Sequence, residues 1–230
     1  MEAGFLDLVD ESRAATVIFL GFPSLRAPLP GQARPAAAVE LESVQRAVEA
    51  VQKRLRQYDG AFVQFRADEK GFLAIAAMGL PGHSHEDGPA RGLQAALAIT
   101  AAIRVSRRER AGAGAQVADI RSTGRGLTGS LRTPAPPPQR SGGAACAGVT
   151  TGQLYCAMVG SARRREEYSV FGNAINTAAR LMTHAAREPG AGGVLCDRPT
   201  QQLSQGKVRW GLGTPFACGA CCACFVAREL

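Results

Sequence analysis

The chain has 230 residues, 46% of them apolar, a formal net charge of +8 and seven cysteines. That length allows one generous domain, or one domain with a tail, and the apolar share is enough for a real core. No stretch approaches the roughly 18 uninterrupted apolar residues that a bilayer-crossing helix needs, so no membrane span is expected.

In chain order, residues 1–14 carry acids where a secretory signal needs basic residues, so they read as the lead segment of an intracellular, cytoplasmic chain. Cysteines scattered without a framework agree with a reducing compartment. ATVIFL at 15–20 is a compact apolar run with β-branched residues, which predicts a buried strand. Four prolines between 21 and 35 mark a loop. Val39, Leu41, Val44, Val48, Val51 and Leu55 then recur at helical spacing, predicting a helix over 36–58 that Asp59-Gly60 closes. Residues 61–66 alternate and 71–78 are nearly all apolar, so two strands are expected, joined as a hairpin around 67–70. Gly79-Leu80-Pro81-Gly82 ends the second strand and 83–87 is a polar loop. Pro89 suits the first turn of a helix carrying Leu93, Ala96, Leu97, Ala98 and Ile103.

Residues 105–143 change character. Seven Arg stand there against Glu109 and Asp119, a local excess of +5, with Pro134, Pro136, Pro137 and Pro138 and no aromatic residue. Such a composition cannot bury enough surface to offset ordering, and predicts a disordered basic insertion. Most of the excess charge then sits outside the folded body. Nucleic acid is set aside as a partner because the segment lacks aromatics on which bases could stack. Beyond it, 145–149 and 154–159 predict a strand pair around Thr150-Thr151-Gly152. Arg163, Arg164 and Arg165 suit an exposed hairpin tip, 193–196 a short strand and 199–203 a helical turn. Strands and helices mixed in this order favour an α+β sandwich with helices packed on a sheet.

The most informative stretch is EEYSVFGNAINTAARLMTH at 166–184. Its first part alternates and suits a strand, which Gly172 breaks. Asn173 is a good N-cap, and Ile175, Ala179, Leu181 and Met182 follow at helical spacing. Asn176 and Arg180, four apart, emerge on one side of that helix. A guanidinium fork beside an orientable amide suits a phosphoryl group or a ribose. The plain alternative is a surface helix with two polar residues facing water.

The run from Tyr168 to Met182, YSVFGNAINTAARLM, resembles the signature of class III nucleotide cyclase domains. GFLAIAAMGLPG with HEDGPARGLQAALAI, and CAGVTTGQLYCAMVG, are similar to further segments of that family. The likeness covers 15–205 apart from the insertion, and it is nearest to the second homology domain of soluble, bicarbonate-responsive adenylyl cyclases. From 206 to 230 it stops, which leaves a Cys-containing tail expected to be unstructured. The resemblance implies a ferredoxin-like sandwich, with helices on a central, mostly antiparallel sheet, that works as a dimer holding ATP between two domains. It assigns Asn176 to the ribose and Arg180 to the charge on the transferring α-phosphate. It also assigns Lys70 to an adenine ring nitrogen and Ser169 to a second base contact, with the Val170 backbone beside it. Lys70 and Ser169 lean to ATP over GTP without excluding GTP. On the residues alone, Lys70 is an ordinary exposed turn lysine.

The same resemblance puts the family's two metal-binding aspartates at Gly21 and, matched without gaps from Lys70, at Ala74. Neither can ligate a hard cation. Asp68 and Glu69 lie near in sequence but out of register. The implied Mg²⁺ therefore belongs to a second, metal-bearing cyclase domain, on the same parent polypeptide or a separate chain, and this chain is expected to be inactive alone. The alternative is a regulatory or dimerisation module that kept the fold and lost turnover. His83, His85, Glu86 and Asp87 form a polar helix-entry loop best read as capping, without a third metal ligand at a fixed distance. Cys218, Cys221, Cys222 and Cys224 lack the partner pair of a zinc ribbon.

Overall fold

The computed structural model describes residues 10–25, 34–68, 71–119, 145–161, 165–187, 193–210 and 224–228. In chain order these form β1 (Glu11–Phe22), α1 (Arg34–Gln57), β2 (Ala61–Asp68), β3 (Gly71–Met78) and α2 (Gly88–Asp119). They continue with β4 (Cys146–Ser161), β5 (Arg165–Phe171), α3 (Asn173–Ala185), β6 (Val194–Asp197), α4 (Arg198–Leu203), β7 (Arg209–Trp210) and β8 (Cys224–Arg228). The strands run β2-β3-β1-β4-β6-β8-β7 across one sheet, with β5 paired to β4 off that path. Among the described residues only β4 and β6 pair in parallel; the other ladders are antiparallel. This is a mixed α+β fold with a mostly antiparallel sheet.

Pleating divides the residues of β1 between two cores, because successive side chains leave a strand on opposite faces. Ile18, Leu20 and Phe22 join Val51 and Leu55 of α1 and Leu93 and Ile99 of α2 on one face. Ala15, Val17 and Phe19 join Leu154, Cys156 and Val170 on the other, where Ala174 and Ala178 of α3 cover them. From Ala15 onward β1 is therefore buried on both sides, which explains its unbroken apolar run.

Five sequence expectations change here. First, β4 is a single strand of 16 residues, where two strands around Thr150-Thr151-Gly152 were expected. Those residues stay in register with Val17, Thr16 and Ala15 of β1. Thr151 is held by hydroxyl contacts of 3.0 Å to both Thr16 and Thr200, so its polarity is satisfied inside the sheet and needs no turn. Second, α2 runs to Asp119, well into the expected insertion. Its added stretch, VSRRERAGAGAQVAD, holds no proline, and its Arg, Glu, Ala and Gln favour helix against the cost of Gly112 and Gly114. The rest of the insertion, 120–143, lies outside the described residues.

Third, 206–230 is not wholly unstructured. β8 pairs with β6 from Leu195↔Val226 to Asp197↔Cys224, and with β7. Its sequence, CFVAR, has the aromatic and β-branched content of a strand, and it covers what would otherwise be a free edge of β6. Cys218, Cys221 and Cys222 lie outside the described residues. Fourth, Asn173 is the first helical residue of α3 and not its cap; Gly172 holds that place, at φ 149° and ψ 164°. Only glycine adopts that backbone readily, and a side chain there would meet the Gln153 carbonyl oxygen at 2.9 Å. Fifth, the loop 83–87 does more than lead into α2, where the Asp87 carbonyl accepts from the Arg91 amide at 3.0 Å. His83 Nδ1 and His85 Nε2 also hold the two carboxylate oxygens of Asp59 at 2.7 and 2.5 Å, and the Asp87 carboxylate accepts from Arg91 Nε at 2.7 Å.

Candidate functional site

α3 presents the two best candidates. Its buried stripe is Ala174, Ala178, Leu181 and Ala185, and the opposite side carries Asn176 and Arg180, both exposed and one turn apart. Small residues in the stripe let the helix lie close to β4 and β1. Among the described residues no hydrogen bond or ion pair is made by either side chain.

β5 leads into α3 and carries the base-contact candidates. Alternation sends Ser169 and Val170 to opposite faces. Val170 is buried beside Cys156, in register with it, so its side chain is core and only its backbone is open to a ligand. Ser169, half-buried, lies opposite Ala157 on the face that also bears Tyr155 and Phe171, themselves cross-strand partners. Those two aromatics are 49% and 45% exposed, with Val159 at 48%, so this face presents exposed apolar side chains beside Ser169 and Glu167. Tyr168 points inward with Val170. Burial, with Cys156 beside it, pushes its hydroxyl well above the usual tyrosine range. Lys70, between β2 and β3 in sequence, lies outside the described residues.

The positions matched to metal carboxylates have a different character. Gly21 pairs with Leu73 across the ladder, and Ala74 pairs with Leu20. Leu20 and Ala74 belong to the core under α1 and α2, whereas Gly21 faces α3: a Cβ there would meet Met182 Sδ at 2.5 Å and Cys146 Sγ at 3.0 Å. Gly21 and Ala74 therefore look to opposite faces, and the neighbour of Gly21 on its own face is Leu73. Around Gly21 lies a cleft of about 240 Å³ lined by Phe19, Phe22, Pro23, Phe72, Leu73, Cys146, Ala179, Met182, Thr183 and Ala186. The Cys146 thiol donates to the Gly21 carbonyl at 3.6 Å, and burial pushes its pKa up to about 11. Sulfur, aromatic and aliphatic groups do not suit Mg²⁺, which takes charged or carbonyl oxygens. The residues here do not fit that ion. Among the described residues no cluster of three or more His, Cys, Asp or Glu is placed to hold a metal.

Sequence reasoning missed Met182 and Cys146 as neighbours of Gly21, and the Tyr155–Phe171 pair. Alternation within YSVF and QLYC put both aromatics on one outward face, and that signal was legible. The contacts of Gly21 join three distant segments and left no local trace.

No protein-family model matches this sequence, and neither does any curated protein. Solved structures do match the fold. The adenylyl cyclase CyaB from P. aeruginosa superimposes with a TM-score of 0.68 at 15% identity, over 97% of each chain. The guanylyl cyclase Cya2 gives 0.65 at 15% identity, over 96% of this chain and 94% of its own. The guanylate cyclase domain of RhGC from Catenaria anguillulae, solved with GTP, gives 0.63 at 13% identity, over 95% and 98%. The chain has the fold of a nucleotide cyclase domain. The cyclase fold is shared across almost the whole of each chain, so the helix bearing Asn176 and Arg180 and the strand before it are parts of a common architecture. Among the described residues, no helix is long and apolar enough to cross a membrane.

Proposed function

We propose that this chain is one half of a class III nucleotide cyclase, of the kind that lacks its own metal site, acting on ATP in a dimer with a metal-bearing cyclase domain. The observation that carries the reading is the pair Asn176 and Arg180, set one turn apart on the open face of α3. The apolar surroundings of Gly21 favour the metal-lacking half. In the reaction the 3′-oxygen of ATP forms a bond to the α-phosphorus, the bond to pyrophosphate breaks, and the hydroxyl proton leaves to a base or water. Mg²⁺ held by the partner would activate that hydroxyl and offset the charge of pyrophosphate.

This chain's own share is binding and charge stabilisation. Arg180 donates to a non-bridging α-phosphate oxygen as charge grows there, an interaction stronger in the transition state than before it. Asn176 fixes the ribose, and so the line of attack. Lys70 and Ser169 read the base, with the Val170 backbone beside them. The exposed apolar side chains of Tyr155, Val159 and Phe171 next to Ser169 suit the partner domain, since exposed apolar patches mark interaction surfaces.

Mixing the purified chain with a cyclase domain that keeps both metal aspartates tests the reading. Cyclic AMP should form in the mixture with Mg²⁺ and not from this chain alone. Turnover by the chain alone would refute the half-site assignment. A mixture that binds tightly but stays inert would favour the second reading, a dimerisation module without turnover, which the same exposed hairpin face supports.

A further inference from the structure

α3 crosses β4 at Gly148, which lies opposite Phe19 of β1 and beside Leu195 of β6. A methyl group at 148 would fall on the Ala178 carbonyl oxygen, 2.6 Å from the Met182 amide nitrogen and 2.8 Å from the Leu181 Cβ. Two of these three obstacles are helix backbone. Backbone cannot rotate aside as a side chain can, so any substituent must lift the helix. Gly152, four residues along and on the same face of the strand, differs: a methyl there meets only the Ala174 Cβ, at 3.4 Å. The turn at 178–182 therefore rests directly on strand backbone, while the first turn of α3 rests on an alanine. Arg180 belongs to the former and Asn176 to the latter.

We infer that Gly148 is a positioning residue for Arg180: its missing side chain sets the height of the 178–182 turn above the sheet, and so the reach of the guanidinium. This inference rests on the reading of Arg180 as the α-phosphate contact.

A double-mutant cycle in the mixed dimer tests it. Gly148→Ala should lower kcat about tenfold or more and leave KM for ATP within about twofold. In an Arg180→Ala background the same change should cost less than about twofold, because the group it displaces is gone. Equal fold losses in both backgrounds would show simple destabilisation and overturn the assignment. Gly152→Val is a gentler change that serves if Gly148→Ala does not fold. Its added methyls press on Ala174, so it should couple to Asn176→Ala and not to Arg180→Ala; the reverse pattern overturns the division of the helix. If the wild-type mixture itself makes no cyclic nucleotide, the functional reading fails on its own. Hydrogen exchange then decides the packing: in Gly148→Ala the amides of 178–182 should exchange about tenfold faster while β6 is unchanged, and unaltered exchange overturns the inference.

Discussion

The two faces of the sheet meet their helices differently. Under α1 and α2 the core is large and branched, with Ile18, Leu20, Phe22, Val51, Leu55, Leu93 and Ile99 packed together. Under α3 the core is smaller and mixes Val17, Phe19, Ile75 and Leu154 with alanines, and the helix itself meets β4 through Ala174, Ala178 and its own backbone over Gly152 and Gly148. Large side chains hold layers apart and fill the gap with apolar volume, which is how a domain gains stability. Small ones bring a helix close and fix its position, which is how a domain aims side chains. The comparison teaches a division of labour: one face stabilises the fold, and the other positions Asn176 and Arg180.

That division predicts opposite mutational profiles. Leu93→Ala, which empties a fully buried site on the first face, should cost about 2–5 kcal/mol of stability by chemical denaturation. The nucleotide affinity of the fraction that remains folded should not change. Arg180→Ala should do the reverse. Stability should stay within about 0.5 kcal/mol, since the residue is exposed. In the mixed dimer kcat should fall about 10²–10³-fold, as for the loss of one transition-state donor, with a smaller change in KM. A stability loss for Arg180→Ala as large as that for Leu93→Ala would erase the contrast between the faces.

The stabilising face was the more legible of the two in the sequence. Its residues follow local periods: Val51 and Leu55 along one helix, Leu93 and Leu97 along another, Ile18, Leu20 and Phe22 within one strand. Hydrophobic periodicity depends on neighbours in the chain, so it can be read without the fold. The other face yielded its exposed residues, Asn176 and Arg180, and hid its supports. Thr150-Thr151-Gly152 resembles a turn because threonine and glycine are common there. Its role as strand depends on Thr16, Thr200 and Ala174, all distant in sequence. The β8 strand was hidden for a similar reason, since a five-residue run is a strand only once β6 offers it an edge. Asp59 looked like a turn residue, and its φ of 56° agrees; nothing local connected it to two histidines more than 20 residues away.

A third change separates binding from chemistry on the positioning face. Lys70→Ala should weaken ATP binding in the mixed dimer by about 1–3 kcal/mol, the cost of leaving a base nitrogen unpaired, and should narrow the preference for ATP over GTP. Ser169→Ala should act in the same direction. Competition binding with both nucleotides reads both quantities. Unchanged affinity and unchanged preference would return Lys70 to the status of an ordinary turn lysine.

The smallest effect should come from the tie between Asp59 and the loop before α2, at an exposed margin that belongs to neither face. Hydrogen bonds from His85 and His83 hold the Asp59 carboxyl below the usual aspartate range. A carboxylate whose pKa is depressed by folding stabilises the native state above its unfolded pKa of about 3.9, and loses that contribution as pH falls through the folded value. Asp59→Asn isolates the charge, because asparagine tolerates the positive φ at this turn. Wild type should therefore melt slightly above Asp59→Asn near pH 6, with the two curves converging as pH falls below about 4. Thermal melts across that range check it. A gap that stays constant, or widens in acid, would show that the carboxylate charge contributes nothing and that the histidines hold Asp59 by position alone.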